Sequence, residues 1–193
     1  MDTFINTKRG EKHCGDRFLT ITQNDITFYI VIDGIGHGQK ASHVADIAYQ
    51  VITDEIIANS SLINIIQACE IKLLNTRGIA ISFVKVNHAE SSIQYYSVGN
   101  IESMLIGRKG IINLKRIPGV FGAKKYPINI STLPICNDSY LLMCSDGVGE
   151  ISGKIRQQLG NLNSRHIVNL LAKQWQGQDD ICILCGKVNH ELH

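Results

Sequence analysis

The sequence predicts an α+β fold in which antiparallel strands are covered by helices, and three observations carry that reading. Two apolar runs, Arg17 to Thr22 and Ile26 to Ile32, flank the turn signal Gln23-Asn24-Asp25. Two helical patterns then follow one another directly, and a series of short strand-like runs separated by turn residues comes after them. With 193 residues and 44% hydrophobic content the chain can bury a sizeable core, and one domain spanning 1–193 is expected.

The elements follow in order. The first two runs make a β-hairpin, whose second strand is apolar enough to be covered on both faces. From Gln39 the period changes: Val44, Ile47, Ala48, Val51 and Glu55 recur at helical spacing through about Ile57, and Asn59-Ser60-Ser61 ends the pattern. Leu62, Ile65, Ile66, Cys69 and Leu73 form a second amphipathic helix that stops near Asn75 to Gly78. Ile79 to Val86, Ser91 to Val98, Ser103 to Ile106 and Gly110 to Leu114 then read as an antiparallel meander. Lys115 to Asp138 holds all three prolines and reads as an irregular, solvated connection. Ser139 to Ser145 is a strand. Helices follow at Ile151 to Leu159 and Ser164 to Trp175, the second capped by Ser164 and anchored by Trp175. Ile181 to Val188 closes the chain as an apolar strand.

Composition excludes several classes of function. A net charge of +2 and the lack of a Lys/Arg run argue against nucleic-acid binding. No apolar stretch approaches the 18 or so residues of a membrane span, and the N-terminus has no secretory h-region, so a cytoplasmic protein is expected. The six cysteines read mostly as buried free thiols of a reducing compartment. Cys182 and Cys185 lie three apart in a strand, so they point to opposite faces and cannot share a metal.

The chemistry-bearing stretch is Asp33-Gly34-Ile35-Gly36-His37-Gly38, where the first apolar strand delivers a carboxylate into a glycine-rich turn. Taken alone, Asp33 is equally well read as a cap for the next helix. Three further places put acids at strand edges: Asp16 before the first strand, Asp146 after the strand at 139–145, and Asp179-Asp180 before the last. Brought together, such acids would repel one another unless protonated or neutralised by cations. An oxygen-only donor set suits Mg²⁺ or Mn²⁺, and a pair of such ions about 4 Å apart suits in-line attack on a phosphoryl group.

In this order the motifs resemble the PPM family of metal-dependent serine/threonine protein phosphatases, in its short bacterial SpoIIE/RsbX-like branch. The segments are Gly15-Asp16, Asp33 to Gly38 with Ala41, Ser97-Val98-Gly99-Asn100, Pro118-Gly119-Val120-Phe121-Gly122, Ser145-Asp146-Gly147 and Asp179-Asp180. The chain length is most like that of RsbX-type members. The resemblance implies a four-layer α/β/β/α sandwich of two antiparallel sheets flanked by helices. It implies two Mn²⁺ or Mg²⁺ ions, with Asp33 and Asp146 as the catalytic pair and Asp16, Asp33, the Gly34 carbonyl, Asp146, Asp179 and Asp180 at the metals. Which of Asp179 and Asp180 ligates directly stays open.

The implied reaction is direct hydrolysis of phosphoserine or phosphothreonine in stressosome-type regulatory proteins, resetting the general stress response, by a monomer. Eukaryotic members often carry a histidine two residues after the bridging aspartate, where this chain has Ile35. The nearest imidazole, His37, either donates to phosphate or fixes the turn. Arg9 and Arg17 are candidate phosphate ligands by position. Two other readings compete. DGxG also occurs in GHKL-like ATP-binding regulators, although there a helix precedes the DGxG strand, and an inactive PPM-like module would serve only to bind partners. A dinucleotide site fails because GxGxxG would require glycine where Gln39 stands.

Overall fold

The computed structural model describes residues 1–108, 110–135 and 138–188. The hairpin forms from β2 (Asp16–Gln23) and β3 (Ile26–Gly34), turning at Asn24 with a φ of 51°, a left-handed conformation that asparagine tolerates. An additional strand, β1 (Asp2–Asn6), precedes it. Helices α1 (Gly38–Ile57) and α2 (Leu62–Leu73) follow where the 3.6-residue period placed them, the second capped by Ser61 Oγ. Then come β4 (Ile79–Asn87), β5 (Ser92–Val98), β6 (Glu102–Gly107), β7 (Gly110–Asn113), β8 (Ser131–Pro134) and β9 (Ser139–Cys144). The chain continues through α3 (Gly153–Leu159), α4 (Ser164–Ala172) and β10 (Ile181–Val188).

The strands make two antiparallel five-stranded sheets, ordered β1-β10-β9-β6-β7 and β2-β3-β4-β5-β8. The period-two alternation of β3 sorts its side chains between two layers. Phe28, Ile30 and Ile32 pack with Ala45, Ile52 and Ile66 of the first helix pair, whereas Tyr29 and Val31 face Leu141, Met143 and Leu184 of the other sheet. In β10, Cys182 joins the layer between the sheets, while Ile181, Ile183 and Cys185 pack with Leu159, Ile167 and Leu171 of α3 and α4. The result is the expected helix/sheet/sheet/helix sandwich. It also explains why Phe28 to Ile32 of β3 and Ile181 to Cys185 of β10 are continuous apolar runs, since each is covered on both faces.

Several local expectations are corrected. The four runs from 79 to 114 are not one meander: β4 and β5 lie in one sheet, β6 and β7 in the other. The chain crosses between them at Gly99, whose φ of 104° and approach to Ala80 leave no room for a Cβ. Asn163, not Ser164, caps α4, accepting the His166 amide at 3.0 Å, and the helix ends before Trp175. The stretch 115–135 is largely solvated, as expected, but it is anchored by Phe121, which is buried between Phe83 and Tyr96 and exchanges both backbone bonds with Ile79. Its strand β8 accommodates Pro134 at the sheet edge, where a missing amide donor is tolerated. Cys69, Cys144, Cys182 and Cys185 are buried free thiols, Cys14 is only half-buried, and Cys136 lies outside the described residues.

Candidate metal centre

The two sheets bring their acids to one end of the sandwich. In the hairpin, Asp16 opens β2 and pairs in register with Asp33 near the end of β3, so strand geometry alone sets these two carboxyls side by side. From the other sheet, β9 ends at Cys144 and Asp146 follows in a single 3-10 turn, while Asp179 and Asp180 lead into β10. Gly147 permits this approach, since a Cβ there would stand 1.9 Å from the Asp180 carbonyl oxygen. Gly34 serves the first side in the same way, its missing Cβ lying 2.3 Å from the backbone oxygen of Ala41 in α1.

Ser145 joins the two halves. Its hydroxyl donates to Asp16 Oδ2 at 2.6 Å and accepts the Cys182 amide at 2.9 Å, while its own amide donates to the Cys182 carbonyl at 3.0 Å. Asp180 is equally committed. Its Oδ1 accepts the Lys8 amide at 2.8 Å and its Oδ2 the Gly15 amide at 2.7 Å, tying the loop before β2 to the start of β10. Asp179 has a different attachment: Trp175 Nε1 donates to its carbonyl oxygen at 2.8 Å, and its Oδ1 accepts the following amide. Asp146 is held by Asn100, whose Nδ2 donates to Oδ2 at 2.6 Å from the crossover between the sheets.

Burial raises the proton affinity of Asp16, Asp33 and Asp146 above that of an ordinary carboxyl. The charges of the neighbouring aspartates push all three in the same direction. The Ser145 hydroxyl pulls Asp16 back down, and the Asn100 amide does so for Asp146. Among the described residues, no three acids close on one point as a ready-made cage. Mg²⁺ and Mn²⁺ prefer oxygen donors, and Mg²⁺ keeps several of its waters while using one or two carboxylates. An open, carboxylate-rich and mutually repelling cluster therefore fits hydrated hard cations.

Comparison with known proteins identifies the family and the fold. The Stage II sporulation protein E (SpoIIE) family profile matches residues 23–189. The chain belongs to the SpoIIE family. It is 29% identical over 103 residues to the phosphoserine phosphatase RsbX of Bacillus subtilis (strain 168), a match spanning 53% of this chain and about half, 51%, of that protein. A chain from a solved structure of the bacterial stressosome, described as a modular system adapted to control secondary messenger signaling, is 30% identical. It superposes with a TM-score of 0.82 over 95% of this chain and 96% of its own. RsbX in complex with magnesium superposes with a TM-score of 0.86 at 24% identity, over 96% of this chain and 92% of that one.

Within this SpoIIE-family fold the structure brings Asp16, Asp33, Asp146, Asp179 and Asp180 to one end of the sandwich, near enough for their charges to act on one another, with Gly34 next to Asp33, and it separates roles the sequence left open. Asp33 is not a helix cap, because α1 is preceded at the cap position by His37. The His37 ring in turn meets Glu11 at 2.6 Å, so it fastens the N-terminal loop to the turn. Arg17 is fully occupied: it pairs with Asp46 at 2.7 Å, donates to the Cys14 and Asp16 carbonyls, and reaches Ser42 Oγ. It supports the backbone of Asp16 and has no donor left for a phosphate. Arg9 packs along Gly177, and its amide donates to the Gly177 carbonyl. Helices α1 and α2 come after the DGxG strand and cover its sheet, which does not match the helix-first GHKL arrangement.

Sequence reasoning missed three contributors. Ser145 and Asn100 stood inside quoted motifs without a role, and each now holds an aspartate. Arg77 carried no signal at all. Its guanidinium lies against Gly36, with Nη2 3.2 Å from where a Cβ would be.

Proposed function

We propose that this chain is an RsbX-like, divalent-metal-dependent protein phosphatase that hydrolyses phosphoserine or phosphothreonine in stressosome-type regulatory proteins and so helps reset the general stress response. The observation that carries the reading is the meeting of Asp16 and Asp33 from one sheet with Asp146, Asp179 and Asp180 from the other, a carboxylate-rich cluster whose charges raise one another's proton affinity. The similarity to a stressosome chain and to RsbX supports the substrate class.

In this reading Asp33, the Gly34 carbonyl, Asp16, Asp146 and Asp179 hold the metals. Asp180 is assigned a positioning role, because both of its carboxylate oxygens already accept backbone amides. Two Mg²⁺ or Mn²⁺ ions would supply a nucleophile from water at neutral pH and neutralise charge on the phosphoryl oxygens. The residues contribute position: register fixes Asp33 against Asp16, and Asn100 directs Asp146. No side chain is assigned as general acid, since Ile35 offers no proton and His37 faces Glu11, so solvent protonates the leaving alkoxide. Buried free thiols suit a cytoplasmic setting.

The test is hydrolysis of p-nitrophenyl phosphate and of a phosphoserine protein with Mn²⁺, with Mg²⁺, with EDTA and in Asp33→Asn. Metal-dependent turnover that disappears in the variant is expected. Turnover in EDTA, or a fully active Asp33→Asn, overturns the reading.

A further inference from the structure

We propose that a cationic groove beside the metal centre, between the first half of α1 and the turn entering β4, docks the acidic flanks of a phosphorylated protein segment. This rests on the phosphatase reading for the fate of the phosphate itself. The groove, about 900 Å³ and open to solvent, is lined among others by His13, Lys40, His43, Thr76 and Arg77. That volume is at the upper end for ligand cavities, and its openness suits an extended chain more than an enclosed small molecule.

The groove shares its walls with the metal centre. Arg77 rests on Gly36, three residues beyond Asp33, and the Ile35 amide in the same turn donates to the Gly78 carbonyl at 3.2 Å. On the other side Ser42 accepts from Arg17, which also holds the carbonyl of Asp16. A peptide whose phosphate reaches the aspartate cluster therefore leads its neighbouring residues past Arg77 and Lys40.

Charge gives the groove its selectivity. The one carboxylate lining it, Asp46, is paired with Arg17, and Glu11 nearby is paired with His37. Among the described residues neither Lys40 nor Arg77 has a carboxylate partner. Two free cations and two imidazoles thus stand next to a cluster of five acids that would repel an acidic peptide. A substrate with acidic residues around its phosphoserine places its phosphate at the metals and its carboxylates on Lys40 and Arg77. Such exposed contacts are screened by salt, so selectivity is expected to fall as ionic strength rises.

The experiment measures binding without turnover. Fluorescence anisotropy on the wild-type protein in magnesium buffer compares two labelled peptides carrying a non-hydrolysable phosphonate analogue of phosphoserine, one with Asp/Glu flanks and one with Ser/Ala flanks. The acidic peptide is expected to bind about tenfold more tightly at low salt, the size of two exposed charge pairs. The double variant Lys40→Glu/Arg77→Glu should lose that preference, and so should the milder Lys40→Gln/Arg77→Gln, with circular dichroism confirming the fold. Arg165→Glu, at an exposed position of α4 in the opposite layer, should keep it. Equal affinity for the two peptides, or a preference that survives both double variants, overturns docking at this groove. Failure of the phosphatase reading is a separate result, a wild-type protein that hydrolyses neither test substrate with any metal.

Discussion

The two halves of the proposed metal centre are built by different means. On the hairpin side, Asp16 and Asp33 are cross-strand partners, so the ladder hydrogen bonds of β2 and β3 fix their separation and burial. On the β9/β10 side, Asp146 and Asp179 sit in turns just outside the strands, the Asp146 carboxylate held by one hydrogen bond from Asn100 and that of Asp179 by one from the following amide, while Trp175 holds the Asp179 backbone carbonyl. The hairpin half cannot relax without breaking a sheet, so its acids stay buried and crowded whatever the metal content. The turn half can adjust its carboxylates as ions enter. A two-ion site with one rigid and one adjustable wall would bind its first ion mainly through Asp33.

The largest effects should come from removing the rigid wall. Asp33→Asn is expected to lower kcat by roughly 10²–10³-fold or more, on the scale of losing a principal electrostatic group, and isothermal titration should show loss of metal binding. Asp146→Asn tests the comparison, because it should leave one class of metal site measurable by titration. Equal loss of all metal binding in both variants would erase the distinction between the halves. Next in size is Asn100→Ala, which releases Asp146 and should weaken metal affinity about 10–100-fold, as with other groups that orient ligands. Activity recovered at high Mn²⁺ would mark it as an affinity effect.

The sheet-built half was the more legible in the sequence, and for a physical reason. Apolar runs bounded by turn residues identify strands, so the acids at their ends could be placed from the pattern around Asp16 and Asp33. Ser145, Asn100 and Arg77 act through residues tens of positions away, and nothing in their local pattern reports those contacts. The strand Asp2–Asn6 was missed because it is short and largely exposed, and its conformation is specified by pairing with β10. Asp179 and Asp180 could not be told apart from sequence, since their difference lies in the Lys8 and Gly15 amides that only folding brings to Asp180.

The Ser145 hydroxyl joins the halves directly at Asp16, so Ser145→Ala should sharpen the comparison through stability. It leaves the buried Asp16 carboxyl without its donor and the Cys182 amide without its acceptor. The expected cost is about 1–3 kcal/mol, read as a lower midpoint in urea unfolding. If instead the loss is confined to metal affinity, the halves are held together by the ions and not by the protein.

The smallest effect is the pH response of the metal-free protein, and its sign follows from burial. The folded-state pKa values of Asp33 and Asp16 lie above the ordinary carboxyl value of 3.8. The folded state therefore binds more protons than the unfolded chain once pH passes that value. Their contribution to stability is fully present below the unfolded pKa and is lost as pH rises through the folded one. In EDTA, the melting temperature should accordingly fall between pH 5 and pH 8, by roughly 2–4 °C for each kcal/mol lost in a chain of this size. Asp33→Asn removes a charge from the rigid wall and should flatten that fall, whereas Asp146→Asn, on the adjustable and less buried wall, should flatten it less. Mg²⁺ should raise the wild-type melting temperature more at pH 8 than at pH 5, because protons and cations compete for the same crowded carboxylates.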